Sequence, residues 1–155
     1  MCQHPITDIV LSFSAENRMN RIITAERYRP DMELGSFFKS IIDQDEQAIV
    51  ICDLAHEIVY MNPAAVEEYD ADTGAKLVGR SVMDCHPHWA NKRIDEVVEW
   101  FKKSPENNIV HTFHSDRRNM DFYMVALRDG EGRLIGYYEK HESRTPERRP
   151  TYGME

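Results

Sequence analysis

The sequence predicts an α+β fold: a five-stranded antiparallel sheet with helices packed on one face, preceded by an N-terminal helical extension. Three observations predict it. Two short strand-like runs, residues 48–52 and 57–61, lie close together in the first half. Three more, at 108–115, 120–127 and 133–140, follow in the second. Between the two groups runs the most amphipathic helix of the chain, in which Ala90, Ile94, Val97, Val98 and Phe101 form one apolar stripe. Arg93, Asp95, Glu96, Glu99 and Lys102 fall mostly off that stripe and give a solvated side. A helix set between two halves of one sheet organises the domain, and a ligand is expected between that helix and the sheet.

Composition narrows the function. At 155 residues the chain has room for one domain and an added helix. A hydrophobic content of 41%, with 10% aromatic residues, supports a real core. The formal charge of −8 argues against a nucleic-acid partner, which needs a basic face. No apolar run approaches the roughly 20 residues of a membrane span, and Asp8 interrupts the only short apolar run near the start, so no signal peptide is expected. Cys2, Cys52 and Cys85 are odd in number and lack paired spacing, which fits reduced thiols in a cytoplasmic protein.

The elements follow in order. Residues 1–30 carry Ile6, Ile9, Val10 and Phe13 and then Met19, Ile22 and Ile23 at helical spacing, ended by Pro30. This extension either covers the domain or makes a homodimer through Ile6, Ile9, Val10 and Phe13. Residues 31–142 form the main domain, and 143–155 a flexible Pro- and Arg-rich tail. Within the domain, Leu34, Phe37, Phe38, Ile41 and Ile42 mark a short helix. The continuous apolar run 48–52 reads as a buried strand, paired as a hairpin with 57–61. Asn62 caps a short helix, with Pro63 at its first position. Pro87 suits the first turn of the long helix. Asp129, Gly130 and Gly132 make a hairpin turn between the last two strands.

With this order established, particular residues carry a resemblance. Asn62-Pro63-Ala64 after the second strand, the stretch Leu77-Val78-Gly79-Arg80, and the hairpin from Arg128 through Gly132 to Gly136 resemble a PAS domain. The likeness covers roughly residues 34–142, and Cys85-His86-Pro87 ahead of the long helix is similar to a bacterial subgroup. The resemblance implies a sensory and signalling role without catalysis. The usual Asp-Ile-Thr-Glu ending is replaced by Lys140-His141-Glu142-Ser143. No output segment follows, so a separate output protein is expected to receive the signal.

Cys85, His86 and His88 form the one cluster with ligand chemistry. Thiolate and imidazole suit haem iron, and haem-binding relatives hold iron near this helix, so haem on Cys85 and His86 is a candidate cofactor. The plainer alternative is a small buried Cys85 and a His86 satisfying backbone at a helix start. No firm metal site follows. Flavin photochemistry is disfavoured, because the reactive cysteine would have to come sooner after Arg80. His111 and His114 are expected on opposite faces of their strand, so that at most one could join the cluster. Trp89, His111, Phe113, Tyr123 and Tyr137 complete the candidate pocket around Cys85 and His86. Two functions remain: a sensor holding a small ligand between sheet and helix, and a ligand-free module for dimerisation or protein interaction.

Overall fold

The computed structural model describes residues 34–69 and 74–154. The expected interface residues Ile6, Ile9, Val10 and Phe13 lie outside the described residues, as does Cys2. Helix α1 (Leu34–Asp43) leads into strands β1 (Ile49–Asp53) and β2 (Ile58–Met61) and then helix α2 (Pro63–Glu68). Two single 3-10 turns, Gly74–Leu77 and Val82–Cys85, precede helix α3 (His88–Lys103). Strands β3 (Ile109–Ser115), β4 (Met120–Arg128) and β5 (Leu134–Ser143) complete the domain. The five strands form one antiparallel sheet in the order β2-β1-β5-β4-β3. This is the expected α+β architecture.

The unbroken apolar run of β1 is explained by its place between β2 and β5. Its Val50 and Cys52 join Ile58, Met61, Met124 and Tyr137 in the core, against Val98 and Phe101 of α3. Asn62 caps α2 as expected, its side-chain oxygen accepting the Ala65 N–H at 2.9 Å. The same amide, fully buried, also accepts from Ile49 N–H at 2.9 Å and donates to the carbonyls of Ile42, Asp45 and Gln47. One side chain thus closes the end of α1 and the start of β1 onto the start of α2.

Three expectations need correction. Pro87 is the N-cap of α3 and does not lie in its first turn, because its ψ of 155° is extended and the helix begins at His88. The last strand runs on to Ser143, past its expected end at 140. The Arg144 N–H then donates to the Asn119 carbonyl at 2.8 Å, and Arg149 pairs with Glu46 at 2.7 Å, so the tail is tied to the domain at both places. Finally, His111 and His114 lie on the same face. A bulge shifts the register between His111 and Phe113, so His111 pairs with Tyr123 and His114 with Asp121. Both imidazoles reach Asp121 Oδ1, at 3.0 and 2.6 Å.

The β4–β5 hairpin turns on Gly132, whose φ of 81° suits glycine. Arg128 locks this hairpin to the end of α3. Its Nη2 donates to the carbonyls of Phe101, Ser104 and Asn107 at 2.8–3.1 Å. Its Nη1 reaches Gly132 O at 3.2 Å and its Nε reaches Asn108 Oδ1 at 2.9 Å. Of the orphan carbonyls that a helix leaves at its C-terminus, Phe101 is satisfied here by the guanidinium and Trp100 by the Asn107 side-chain amide.

Candidate functional site

A cavity of about 60 Å³ lies between the inner face of the sheet and α3. At roughly 10–15 Å³ per water, this is room for several waters or a small organic body. Val50, Ile58, Met61 and Met124 supply its sheet wall, and Leu77, Val82 and Ile94 face them. The strand pairing explains this wall: Glu139 sits opposite Val50 on one side and Met124 on the other, and Tyr137 sits opposite Cys52 and Ala126. Alternation along β5 therefore puts Tyr137 and Glu139 on the inner face and Tyr138 and Lys140 on the outer.

Polar groups converge at two places. At the first, burial pushes the Cys52 thiol up to about 11, and the neighbouring Tyr137 phenol is also raised, chiefly by burial. The Tyr137 hydroxyl is 3.0 Å from His56 Nδ1, and His56 Nε2 is 3.2 Å from Asp95 Oδ1 on α3. His56 holds this position from the β1–β2 turn with a φ of 64°, a conformation few non-glycine residues adopt. A chain of polar groups thus connects the cavity wall to the face of α3.

At the second place, Glu139 Oε1 accepts the Tyr69 hydroxyl at 3.1 Å and lies 3.1 Å from His141 Nε2. His141, with a side chain only 1% exposed, has its Nδ1 3.3 Å from Glu68 Oε2. That approach lies off the hydrogen-bond direction, and the nitrogen has no hydrogen-bond partner among the described residues. Arg118 grips both oxygens of Glu68, at 2.8 and 2.9 Å. Burial works against ionisation of Glu68, but Arg118 and His141 together outweigh it and the carboxyl is held below its ordinary range. Burial, and then the Glu139 charge, raise the Tyr69 phenol.

Of the residues singled out from the sequence, Cys85, His86 and Tyr137 line the cavity. Cys85 is exposed at the end of its 3-10 turn, ahead of α3, and His86 is fixed through Nδ1 to the Val82 carbonyl at 2.9 Å. Trp89 does not line it, being 73% exposed on the first turn of α3. His111 and Tyr123 lie on the outer face of the sheet, where Asp121, held down to about 2 by His114 foremost, and Arg144 complete a separate cluster. Phe113 packs on Phe122 at the edge of the sheet, with ring centroids 5.5 Å apart. Sequence reasoning missed Tyr69, Glu139, His56 and His141. For a haem iron His86 would offer only its Nε2, since its Nδ1 is engaged by the Val82 carbonyl, and Cys85 would offer an exposed thiol. Among the described residues no group of three or more His, Cys, Asp or Glu side chains is arranged to hold a metal ion.

No helix among the described residues is long and apolar enough to cross a membrane. No curated protein matches the chain. A family model described as the PAS fold matches residues 42–149. Among solved structures, the chain is similar to a C-terminal domain from Streptococcus mutans, with a TM-score of 0.55 at 23% identity over 68% of this chain and 81% of that one. It is also similar to a PAS domain from Colwellia psychrerythraea (TM-score 0.54, 14% identity, 72% of this chain and 97% of that). The PAS domain of BvgS from Bordetella pertussis gives a TM-score of 0.52 at 18% identity, over 72% and 86% of the two chains. At these identities the likeness concerns the fold alone. With the family model covering most of the chain and the strand order and central helix in agreement, this protein belongs to the PAS-fold family of sensory and signalling domains.

Proposed function

We propose that this PAS domain senses a small molecule held in the cavity between β1, β5 and α3, and passes its occupancy to a second copy of the chain or to a separate output protein in the cytoplasm. The observation that carries the proposal is the cavity itself: apolar walls with convergent polar groups at two places, the pattern of a ligand site. Each polar group there belongs to a chain of contacts ending elsewhere, Tyr137 through His56 at α3 and Glu139 through His141 and Glu68 at Arg118. A ligand that displaced either hydroxyl would alter contacts at the surface. Cys85 and His86 stand at the cavity wall in this account, without a metal.

Titration of the full chain with toluene, followed by amide and methyl NMR, tests the proposal. Saturable shifts are expected at Met124, Ile94 and Cys52, lost when Ile94→Trp fills the space. No shift at these residues in the parent protein would sink the sensor.

One observation favours a second reading, a ligand-free interaction module. Phe37, Phe38 and Ile41 of α1 are all exposed, and a clustered apolar surface marks an interface more often than chance exposure. Ile6, Ile9, Val10 and Phe13, read from the sequence, are a second proposed dimer contact. Light scattering on the full chain decides: Phe38→Asp and Phe13→Asp should each weaken self-association, and a parent that is monomeric at high concentration removes the dimer from both readings.

A further inference from the structure

Glu139 is hard to explain as packing. It stands on the inner face of β5 between Val50 and Met124, both buried apolar residues on the neighbouring strands. A carboxylate there loses hydration, a cost that needs compensation. Tyr69 and His141 compensate one oxygen, Oε1. Among the described residues no donor is placed on Oε2, and the side chain, 31% accessible, lines the cavity.

The charges around it are uneven. Among the described residues no lysine or arginine lines the cavity. Lys140 points to the outer face, where it pairs with Glu142 at 2.5 Å. Arg118 is held by Glu68, so the two cancel, and Glu139 is left with only the imidazole of His141. Asp95, bound to His56 at the other polar place, adds a further negative charge. The rings of Tyr69 and Tyr137 also line the space, and aromatic faces attract cations. The remaining lining is aliphatic and methionine side chains, with the thiols of Cys52 and Cys85 and the imidazole of His86.

Resting on the proposal that the cavity holds a ligand, we propose that the ligand is a small organic ammonium with an apolar body, its charged head on Glu139 and its body among Ile58, Met61, Val82, Ile94 and Met124. A carboxylic acid of the same shape meets like charge at Glu139 and is excluded. A neutral alcohol fills the same space and can donate to the carboxylate, but it lacks the attraction between opposite charges.

Three molecules of matched shape test this: benzylammonium, benzyl alcohol and benzoate, titrated near neutral pH and low salt into the full chain and followed by NMR at the cavity residues. Benzylammonium is expected to bind at least about tenfold more tightly than benzyl alcohol, the advantage of opposite charges over a neutral donor on the same carboxylate, with benzoate weakest. In Glu139→Gln, which keeps the Oε1 acceptor for Tyr69 and His141, that preference should fall to about threefold or less, because the attraction between opposite charges is gone. Benzoate binding as tightly as benzylammonium, or an ammonium preference that survives Glu139→Gln, overturns the inference. So does failure of benzylammonium to shift the cavity residues. Toluene separates the two failures: if it still binds, the cavity is a ligand site of another class, and if it does not, the sensor proposal falls as well.

Discussion

Replacing Asn62 by Asp changes one NH₂ group to oxygen, and the structure says this is among the most damaging conservative changes available. Asn62 is 0% exposed. The orientation of its amide is fixed by its neighbours, since the Ile49 and Ala65 N–H groups can only donate and the Ile42, Asp45 and Gln47 carbonyls can only accept. The carboxylate of Asn62→Asp keeps the two accepted bonds. It also aims a second oxygen at three carbonyl oxygens that lay 2.9–3.3 Å from the amide nitrogen. Two donated hydrogens are lost at about 1 kcal/mol each, and the part-buried carbonyls that lose this donor add about 1–3 kcal/mol. The total, about 3–5 kcal/mol, is a large part of a domain's usual stability of about 5–15 kcal/mol. Asn62→Ser should cost less, because a hydroxyl can still cap α2 and places no charge against the carbonyls. The sign of the pH dependence follows. Burial against carbonyls favours the neutral carboxylic acid, so the pKa of the introduced carboxyl rises on folding. The variant is therefore least handicapped below the unfolded aspartate value of about 3.9 and loses stability relative to the parent as pH rises above it. Urea midpoints for the three proteins measure this. If Asn62→Asp loses less than Asn62→Ser at neutral pH, the donor half of the amide is unimportant and the account of the α1–β1–α2 junction fails.

The remaining predictions test other parts of the fold and site. Arg128→Met should cost about 2–4 kcal/mol by uncovering the last carbonyls of α3, and amide exchange should rise at 101–107 first; uniform loss across the sheet would contradict it. Gly136→Ala should cost about 1–3 kcal/mol, because its new Cβ would collide with the Cys52 carbonyl oxygen, whereas Gly132→Val meets open space and should cost about 1–3 kcal/mol from backbone strain alone. Cys85 should be alkylated by iodoacetamide in the native protein while Cys52, buried and with its thiol raised to about 11, stays unmodified; peptide mapping that finds both labelled at one rate refutes this. Asp121 is held down to about 2 from an ordinary 3.8, so its contribution is present above 3.8 and is lost as pH falls from there toward 2. Asp121→Asn should flatten acid unfolding in that window, and an unchanged acid limb would show that the His111–His114–Arg144 cluster does not hold the carboxylate.

Much of the architecture was legible because it is written locally. The Asn62-Pro63 helix start, the amphipathic stripe of α3 and the glycine of the β4–β5 turn each depend on a few neighbouring residues and one physical rule. What failed depended on pairing between strands. Strict alternation separates His111 from His114, and only a bulge opposite β4 brings them together on Asp121. Nothing in the local run announces that bulge, since it is decided by which residues of β4 find partners. Arg128 failed for a related reason: its sequence neighbours belong to a turn, while the carbonyls it binds lie more than twenty positions earlier.

Glu139 is different, because a signal for it existed. Once Tyr137 is placed on the inner face, a period of two places Glu139 and His141 on that face as well. A strand that turns an aromatic, an acid and an imidazole toward a helix-covered face is departing from the usual pattern of apolar residues inward and polar residues outward. Such departures mark function more often than error, since each buried polar group must be satisfied or must serve a purpose. Here the satisfaction is incomplete. His141 Nδ1 has no hydrogen-bond partner among the described residues, and Glu139, which lines the cavity, has no donor among them on its Oε2. Cys85 and His86 stand out in the sequence because their side chains are chemically conspicuous. The alternation along β5 points instead to the carboxylate opposite them, where an apolar wall carries a charge that packing alone does not require.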